Sequence, residues 1–332
     1  MTNLIGRREL LAAGLGLCGS LRPGVASAQQ PSQVAPREAG TDALGRRIGG
    51  PPAPGRQIPK RKAKTTNMFL TPPGWPNAID IDHDQKRGFW VQEQRHDNKP
   101  EAAWLIDWNG KLLHTVMTNG KDTSGMCYGN GCVWSGANGA SVINHPTPPI
   151  NGIFQTDMNG KQISHRQIPF GPKEDGVATH GMSWQEDVGK MWIDSNRLQG
   201  MIRIDPKTWE VDYMIPTTHL PGISERLHGI AYDNGFIWQV TGYQKPGTSD
   251  YEGYTPGLIK YNIKTGQVVE HVEFEPGSCD IHDVTVNNGQ LYGVDAGEHP
   301  GWSIDKPAYQ HPGFPPMNSP TGGYVCRIDL IS

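Results

Sequence analysis

Three histidines stand at equivalent positions of an internal repeat in this chain of 332 residues. His180, His228 and His282 each come directly before a short, mostly apolar segment of the repeat. Neutral imidazole is the commonest metal ligand among side chains, and three imidazoles leave a fourth position open for a water or a substrate oxygen. The three residues therefore predict a divalent transition-metal site. Zinc is the first expectation, and copper, manganese or iron are alternatives because each of them accepts imidazole.

Charged residues close to these histidines could carry out proton transfer. Glu225 and Asp283 are the candidate general acid or base groups. Arg226 could hold an anionic substrate group or a developing oxyanion with its planar guanidinium. These three residues form the predicted catalytic set. The alternative for each of them is an ordinary charge on a surface loop.

The repeat recurs five times, at intervals of roughly 50 residues. The first segments of the five copies occupy residues 78–81, 125–128, 181–184, 229–232 and 283–286. The residues directly before them are Asn77, Ser124, His180, His228 and His282. Each copy holds short apolar or alternating segments separated by Gly, Asn, Asp and Pro, which is typical of strands and turns. We therefore predict an all-β fold, a β-propeller of five four-stranded blades, with six as the alternative count.

Two further features of the repeat bear on this fold. The second segment of each copy contains an aromatic residue (Trp90, Trp134, Trp192, Trp238 and Tyr292), and this regularity favours a propeller over a β-sandwich. The third segment of most copies ends in Asp or Asn before a turn, which predicts a structural role for that acid. The fifth copy lacks a fourth segment, so we expect residues 65–70 to supply it and close the ring.

Loop lengths select one end of the predicted ring. The loops expected on the histidine face are long, at 135–152, 216–228, 242–257 and 296–323, whereas the turns of the opposite face are short. Long loops on a rigid scaffold commonly build binding sites. Aromatic and proline residues of the 297–316 segment could wall a pocket for an apolar or sugar-like ligand.

The N-terminal region predicts export. Arg7 and Arg8 precede a short apolar run, and Ala26-Ser27-Ala28 forms a small-x-small cleavage site. Residues 1–28 resemble a twin-arginine signal peptide, which implies the twin-arginine export machinery as a partner and a periplasmic location. Residues 29–64, rich in Pro and Gly and ending in a basic cluster, are predicted to be a flexible, solvated linker. Residues 65–332 are predicted to form a single propeller domain.

Composition and cysteine spacing narrow the other partners. A net charge of −3 argues against nucleic acid, and no segment after the signal is apolar enough to span a membrane. Four cysteines follow the signal: Cys127, Cys132, Cys279 and Cys326. Cys127 and Cys132 flank a turn and could face each other within disulfide reach. Zinc binding by all four thiolates is disfavoured, because the second pair is widely spaced.

The chain resembles the group of propellers that includes streptogramin lyases, NHL-repeat amidating lyases and gluconolactonase-like hydrolases. The resemblance spans about residues 67–332 and depends on lines such as 227–231 (Leu-His-Gly-Ile-Ala) and 191–196 (Met-Trp-Ile-Asp-Ser-Asn). Three inner-strand histidines hold zinc in the amidating lyases, which implies that role for the three histidines here. Streptogramin lyases use a channel histidine and magnesium to open a lactone, and His282 with Asp283 matches that histidine in position.

The function predicted is therefore that of an exported, metal-dependent lyase or hydrolase. Its substrate would be a small oxygenated molecule (lactone-, ester- or sugar-like) bound at the top of the channel. Two alternatives stay open. One is a propeller that binds a ligand or metal without turnover, and the other is a copper redox site on the same histidines. In WD-type propellers a histidine in a similar loop is purely structural, which is the alternative to any metal.

Overall fold

The structure is a computed structural model. It describes residues 57–73, 75–95, 99–137, 152–166, 179–195, 200–217, 227–241, 256–279, 281–295 and 323–331, together with two short strands at 40–41 and 47–48. All regular structure in these ranges is β-strand, which confirms the all-β prediction. Within the same ranges, no helix is long and apolar enough to cross a membrane. All of the strands belong to one compact unit, Pro36–Ser332, and the other unit, Met1–Ala35, lies outside the described residues together with the predicted signal peptide.

The strands are short and follow one another through tight turns. In chain order they are β1 (Gly40–Thr41), β2 (Arg47–Ile48), β3 (Lys60–Leu70), β4 (Pro76–Ile81), β5 (Gly88–Glu93), β6 (Glu101–Asp107), β7 (Leu112–Thr118), β8 (Thr123–Gly129), β9 (Cys132–Ala137), β10 (Gly152–Asp157) and β11 (Gln162–Arg166). They continue as β12 (Gly181–Gln185), β13 (Lys190–Ser195), β14 (Gly200–Ile204), β15 (Val211–Pro216), β16 (Leu227–Asp233), β17 (Phe236–Thr241), β18 (Gly257–Asn262), β19 (Gln267–Phe274), β20 (Ile281–Asn287), β21 (Gln290–Asp295) and β22 (Tyr324–Ile331).

The strands are arranged in antiparallel groups of four consecutive strands, and this arrangement repeats along the chain. Strands β4 to β7 and β8 to β11 are complete four-stranded sheets, whereas β12 to β15 and β16 to β19 are parts of larger sheets. The first strands of successive groups contact one another in order, from β4 through β8, β12 and β16 to β20, and β20 also contacts β4. Each repeat of the sequence therefore corresponds to one group, and its first segment is the group's innermost strand.

A strand from the beginning of the described chain pairs with the last strand, β22. Strand β22 pairs antiparallel with β3, from Tyr324↔Leu70 to Ile331↔Lys62. The other edge of β3 pairs parallel with β19, over His271↔Lys60 to Phe274↔Ala63. The segment expected at 65–70 thus lies in β3, between β22 and β19 in the sheet.

Strand β3 begins at Lys60, inside the segment that composition predicts to be linker. Its Ala63 is fully buried. The flanking basic side chains pair with acids of β19, because Lys62 Nζ lies 2.7 Å from Glu273 and Arg61 lies 3.1 Å from Glu270. The basic cluster is therefore part of the sheet, and the charges of Arg61 and Lys62 are matched across the parallel pair. Partly exposed pairs of this kind contribute about 1 kcal/mol or less each.

The core lies between neighbouring groups. The tryptophans of the second strands, Trp90, Trp134, Trp192 and Trp238, are all buried. One cluster joins Trp134 of β9 to Trp184 of β12 and Met191 of β13, so adjacent groups share side chains from facing sheets. A single group could not bury both of its faces, and stacking supplies roughly 2 kcal/mol for each large apolar side chain removed from water.

The turn chemistry agrees with the sequence. Asp107 Oδ1 accepts the backbone N–H groups of Asn109 and Lys111 at 2.9 Å, and Asp157 does the same in the next group. The structural role predicted for these acids is confirmed. At the β8–β9 hairpin, Asn130 and Gly131 both have positive φ, which makes a two-residue turn.

This short turn also decides the arrangement of the hairpin cysteines. The register places Cys132 opposite Gly129 and Cys127 opposite Trp134, so the two cysteines are not cross-strand partners. Both are free and buried. The disulfide considered for this pair is not formed, because the connection is two residues shorter than the sequence spacing suggested.

A buried carboxylate lies at the junction between the first two groups. Glu101 begins β6 and is fully buried. Its oxygens accept the backbone N–H groups of Arg95 at 3.0 Å, Asp122 at 2.6 Å and Thr123 at 3.1 Å. Removal from water raises its pKa to about 8 and outweighs the hydrogen bonds, which act in the opposite direction.

We expect Glu101 to make stability depend on pH. The folded chain keeps the Glu101 proton up to about pH 8, whereas the unfolded chain releases it near 4.5. The folded state binds more protons in this window, so its free energy of unfolding should fall as pH rises, by up to about 1.4 kcal/mol per pH unit. Urea unfolding at about pH 5 and about pH 8 measures the slope. A Glu101→Gln variant should show a shallower slope, and equal slopes would contradict the assignment.

Candidate functional site

The three histidines of the repeat lie side by side at the starts of neighbouring inner strands. His180 precedes β12, whereas His228 and His282 lie in β16 and β20. The ring centres of His180 and His228 are 5.0 Å apart with planes at 24°, and those of His228 and His282 are 4.7 Å apart. His228 and His282 are each 6% exposed. Repeat positions that are far apart in sequence thus produce one imidazole cluster, with His228 in the middle.

Glycines after two of these histidines let the inner strands approach closely. A Cβ on Gly181 would lie 2.8 Å from the Cα of Gly229, and a Cβ on Gly229 would overlap the side chain and the Cα of Asp283. Both contacts are far shorter than packed atoms allow. The His-Gly dipeptide is therefore explained by packing: the histidine faces its neighbours while the glycine leaves room for the next strand.

An asparagine fixes the orientation of His282. The Nδ1 of His282 lies 2.8 Å from Oδ1 of Asn77 in β4, and both residues are buried. An amide oxygen can only accept, so Nδ1 is the donor in this contact. This is the pattern by which second-sphere groups orient metal-binding histidines. Asn77 had no role in the sequence analysis, although its repeat position, equivalent to the three histidines, was a usable signal.

Asp283 connects the last and first inner strands. It is fully buried, its Oδ2 accepts the backbone N–H of Ile79 at 3.0 Å, and its Oδ1 accepts that of Val284 at 2.8 Å. Burial raises its pKa well above the ordinary value, the two backbone hydrogen bonds oppose that shift, and the neighbouring carboxylates of Asp80 and Asp194 add to it. Both oxygens are thus engaged with backbone of β4 and β20.

Asp80 is a second polar link between inner strands, and sequence reasoning missed it. Its Oδ2 accepts the backbone N–H of Tyr128 at 2.9 Å, and its Oδ1 accepts the hydroxyl of Thr285 at 3.1 Å. A comparable bond joins the next groups, where Ser183 Oγ accepts the N–H of Tyr232 at 2.8 Å. Polar side chains therefore hold the inner strands in register a few residues beyond the histidines.

The histidine cluster has the donor chemistry of a metal site. Two imidazoles bound to one tetrahedral zinc ion, at about 2 Å from each nitrogen, place their ring centres about 5 Å apart. The observed separations of 5.0 and 4.7 Å match this spacing. His180 and His228 are stacked, and within the described ranges no three His, Cys, Asp or Glu side chains are arranged so that they could hold a metal ion as they stand. The donor type is that of a metal site, whereas the arrangement of the His180 and His228 rings is that of a stack.

Part of the predicted site lies outside the described residues. Glu225 and Arg226 belong to the segment 218–226, and the aromatic-rich loop belongs to 296–322. Of the three predicted catalytic residues, the structure therefore places only Asp283 beside the histidine cluster.

Comparison with known proteins gives the fold. No family model matches the sequence, and no curated protein matches it. Glutaminyl cyclase from Myxococcus xanthus is similar in structure, with a TM-score of 0.50 and 9% identity, over 83% of this chain and 100% of that one. A luciferin-regenerating enzyme gives a TM-score of 0.46 and 15% identity, over 79% of this chain and 80% of that one. Virginiamycin B lyase from Staphylococcus aureus gives 0.38 and 13%, over 80% and 66%. The structure is a β-propeller, as predicted, and the likeness to that group is distant.

Proposed function

We propose that this propeller is an exported, metal-dependent lyase or hydrolase that acts on a small oxygenated molecule such as a lactone, an ester or a sugar derivative. The observation that carries the proposal is the cluster of three imidazoles with ring centres 5.0 and 4.7 Å apart, one of them oriented by Asn77. The M. xanthus protein of the same fold is named as an enzyme, which is compatible with catalysis on this scaffold.

The metal would be held by His180, His228 and His282. A zinc ion bound there would polarise a carbonyl oxygen or activate a water. The residues of the chain prepare that site in specific ways. Asn77 accepts a hydrogen bond from Nδ1 of His282 and so fixes the orientation of that ring. Asp283 bonds the backbone of β4, and this favours a positioning role over the general acid or base role suggested by its sequence neighbourhood.

The remaining chemistry is assigned to the loop before β16. Glu225 would move the proton, because it is the carboxylate that stands three residues before the proposed ligand His228 in the sequence. Arg226 would orient an anionic or carbonyl oxygen of the substrate. Both assignments depend on sequence position beside His228.

The proposal also includes the number of blades and the cellular route. Five blades, with β3 as the outer strand of the last one, would account for the contacts of β4, β8, β12, β16 and β20 in cyclic order. Residues 1–28 would direct the chain to the periplasm through the twin-arginine machinery, which exports folded proteins. Such a route suits a protein whose metal is loaded before export.

Elemental analysis of the purified protein tests the metal directly. We expect about one equivalent of zinc, or of copper, manganese or iron, per chain. Single replacement of His180, His228 or His282 by alanine should each lower metal affinity by at least tenfold, because each removes one ligand. His114→Ala is the matched control, since His114 is exposed on an outer strand. Absence of stoichiometric metal in the wild type, or unchanged binding in all three variants, would refute the proposal in favour of structural histidines.

Asn77 provides a finer test of the same site. Asn77→Ala should weaken metal binding about 10- to 100-fold, because it removes only the orienting acceptor of His282. Asn77→Asp should restore much of the affinity, since a carboxylate oxygen also accepts from Nδ1. Equal losses in the alanine and aspartate variants would indicate a packing role for Asn77 instead.

A further inference from the structure

Two cysteines from distant parts of the chain meet where the first and last strands pair. Cys279 stands two residues before β20, and Cys326 lies in β22. Their sulfur atoms are 3.1 Å apart, and both residues are buried, at 7% and 0% exposure. The contact is about 1 Å longer than a disulfide bond, so formation of the bond requires only a small movement.

We propose that Cys279 and Cys326 form a disulfide bond that fastens the loop before β20 to the β22–β3 pair. The surrounding side chains hold the two sulfurs close together. Oδ1 of Asn67 in β3 lies 2.7 Å from Cys279 Sγ and 3.5 Å from Cys326 Sγ. The same loop is bound to β3 through Thr65, whose Oγ1 accepts the N–H of Cys279 at 2.6 Å and whose N–H is donated to Ser278 Oγ at 3.3 Å. Loop and strands are therefore already aligned when the sulfurs meet.

The other two cysteines have no such geometry. Cys127 and Cys132 lie at non-partnered positions of the β8–β9 hairpin. Both are buried in the apolar cluster that contains Trp134 and Trp184. Among the four cysteines of the described ranges, the pair at the β22–β3 junction is the one placed to bond, and we assign reduced thiols to the hairpin pair.

The bond forms by oxidation of the two thiols. Each sulfur loses its proton, the two sulfurs together lose two electrons, and one S–S bond results. The oxidant is a disulfide, either of a small thiol or of a protein dithiol, which takes up two electrons and two protons and becomes two thiols. Access comes through the turn 275–277, where Pro276 and Gly277 are exposed. Physiological formation of the bond depends on the proposed export, because oxidising conditions exist outside the cytoplasm.

The test uses purified full-length protein and does not require export. The protein is reduced, then equilibrated with oxidised glutathione, alkylated, and digested with an endopeptidase that cleaves after glutamate, since Glu298 lies between the two cysteines. We expect a fragment pair joined through Cys279 and Cys326, with Cys127 and Cys132 alkylated. Oxidation should raise the melting temperature by about 5–15 °C in wild type and in Cys132→Ser, and should leave Cys279→Ser and Cys326→Ala unchanged.

Each opposing result has a distinct meaning. Four alkylated core cysteines after oxidation, or fragments joined through Cys127 or Cys132, would overturn the assignment. A joined pair with no change in melting temperature would overturn its role as a fastener. Export is tested separately, by measuring the amount of the protein in the periplasm and in the cytoplasm. If the bond forms in vitro but the protein stays in the cytoplasm, the proposed location is wrong and the cysteine pairing still holds.

Discussion

Replacing Gly229 by alanine should destabilise the protein by at least about 3 kcal/mol. The new methyl group would overlap Asp283, including its Cα, so that β16 and β20 must separate. Separation would also stretch the hydrogen bond from Ile79 N–H to Asp283 and move His228 away from His282. Urea unfolding of the purified variant measures the loss, with soluble yield as a second readout if the variant does not fold.

Gly235→Ala serves as the matched control for this prediction. Gly235 lies in the hairpin turn after the same strand and has φ of +87°, and a methyl group added there would meet no atom within 4 Å. Its replacement should cost about 1 kcal/mol, because only backbone strain is introduced. Similar losses for the two variants would show that close packing of the inner strands is not what requires Gly229.

Replacing Asp80 by alanine should cost roughly 3–5 kcal/mol. Its carboxylate accepts the N–H groups of Ile81 and Tyr128 and the hydroxyl of Thr285, all in the protein interior. Alanine leaves these donors buried without their acceptor, and each such donor costs about 1–3 kcal/mol. Thermal and urea unfolding measure the change.

Two comparisons make the Asp80 result specific. Asp80→Asn keeps one oxygen acceptor and should cost less than alanine. Asp107→Ala removes two hydrogen bonds of similar length in an exposed turn and should cost about 1 kcal/mol, because water replaces the lost acceptor. If Asp80→Ala is no worse than Asp107→Ala, burial does not control the value of these bonds.

The sequence was sufficient to predict the features that depend on local pattern. Alternation of apolar residues and the Asn-Gly and Asp turns specify strands and hairpins within each group, and repetition of that pattern specifies a propeller. Asp107 is an example, since both of its partners lie within four residues of it. The approach of His180, His228 and His282 also followed, because equivalent repeat positions reach equivalent heights on neighbouring inner strands.

The long-range side-chain contacts could not be predicted from the sequence, because they depend on the register between groups of strands. The contact of Asn77 with His282 joins residues 205 positions apart, and that of Cys279 with Cys326 joins the loop before β20 to strand β22. Lys62 was expected in a solvated linker because its neighbours are basic, yet its partner Glu273 lies 211 residues away. Such pairs are set by where one sheet edge meets another, and neither composition nor periodicity carries that information.

The pairing of β3 with β22 also governs the order in which the protein can be made. Strands β4 to β19 form groups from neighbouring segments, so these can fold as they leave the ribosome. Strand β3 is synthesised early, but its antiparallel partner comes about 260 residues later, as the Cys326–Asn67 contact illustrates. During that interval the early strand waits with an unpaired edge, which is a template for association with another chain. Pairing of β3 with β22 therefore comes after synthesis of every strand from β4 to β21, and the length of that delay sets how long this edge of β3 stays open to aggregation.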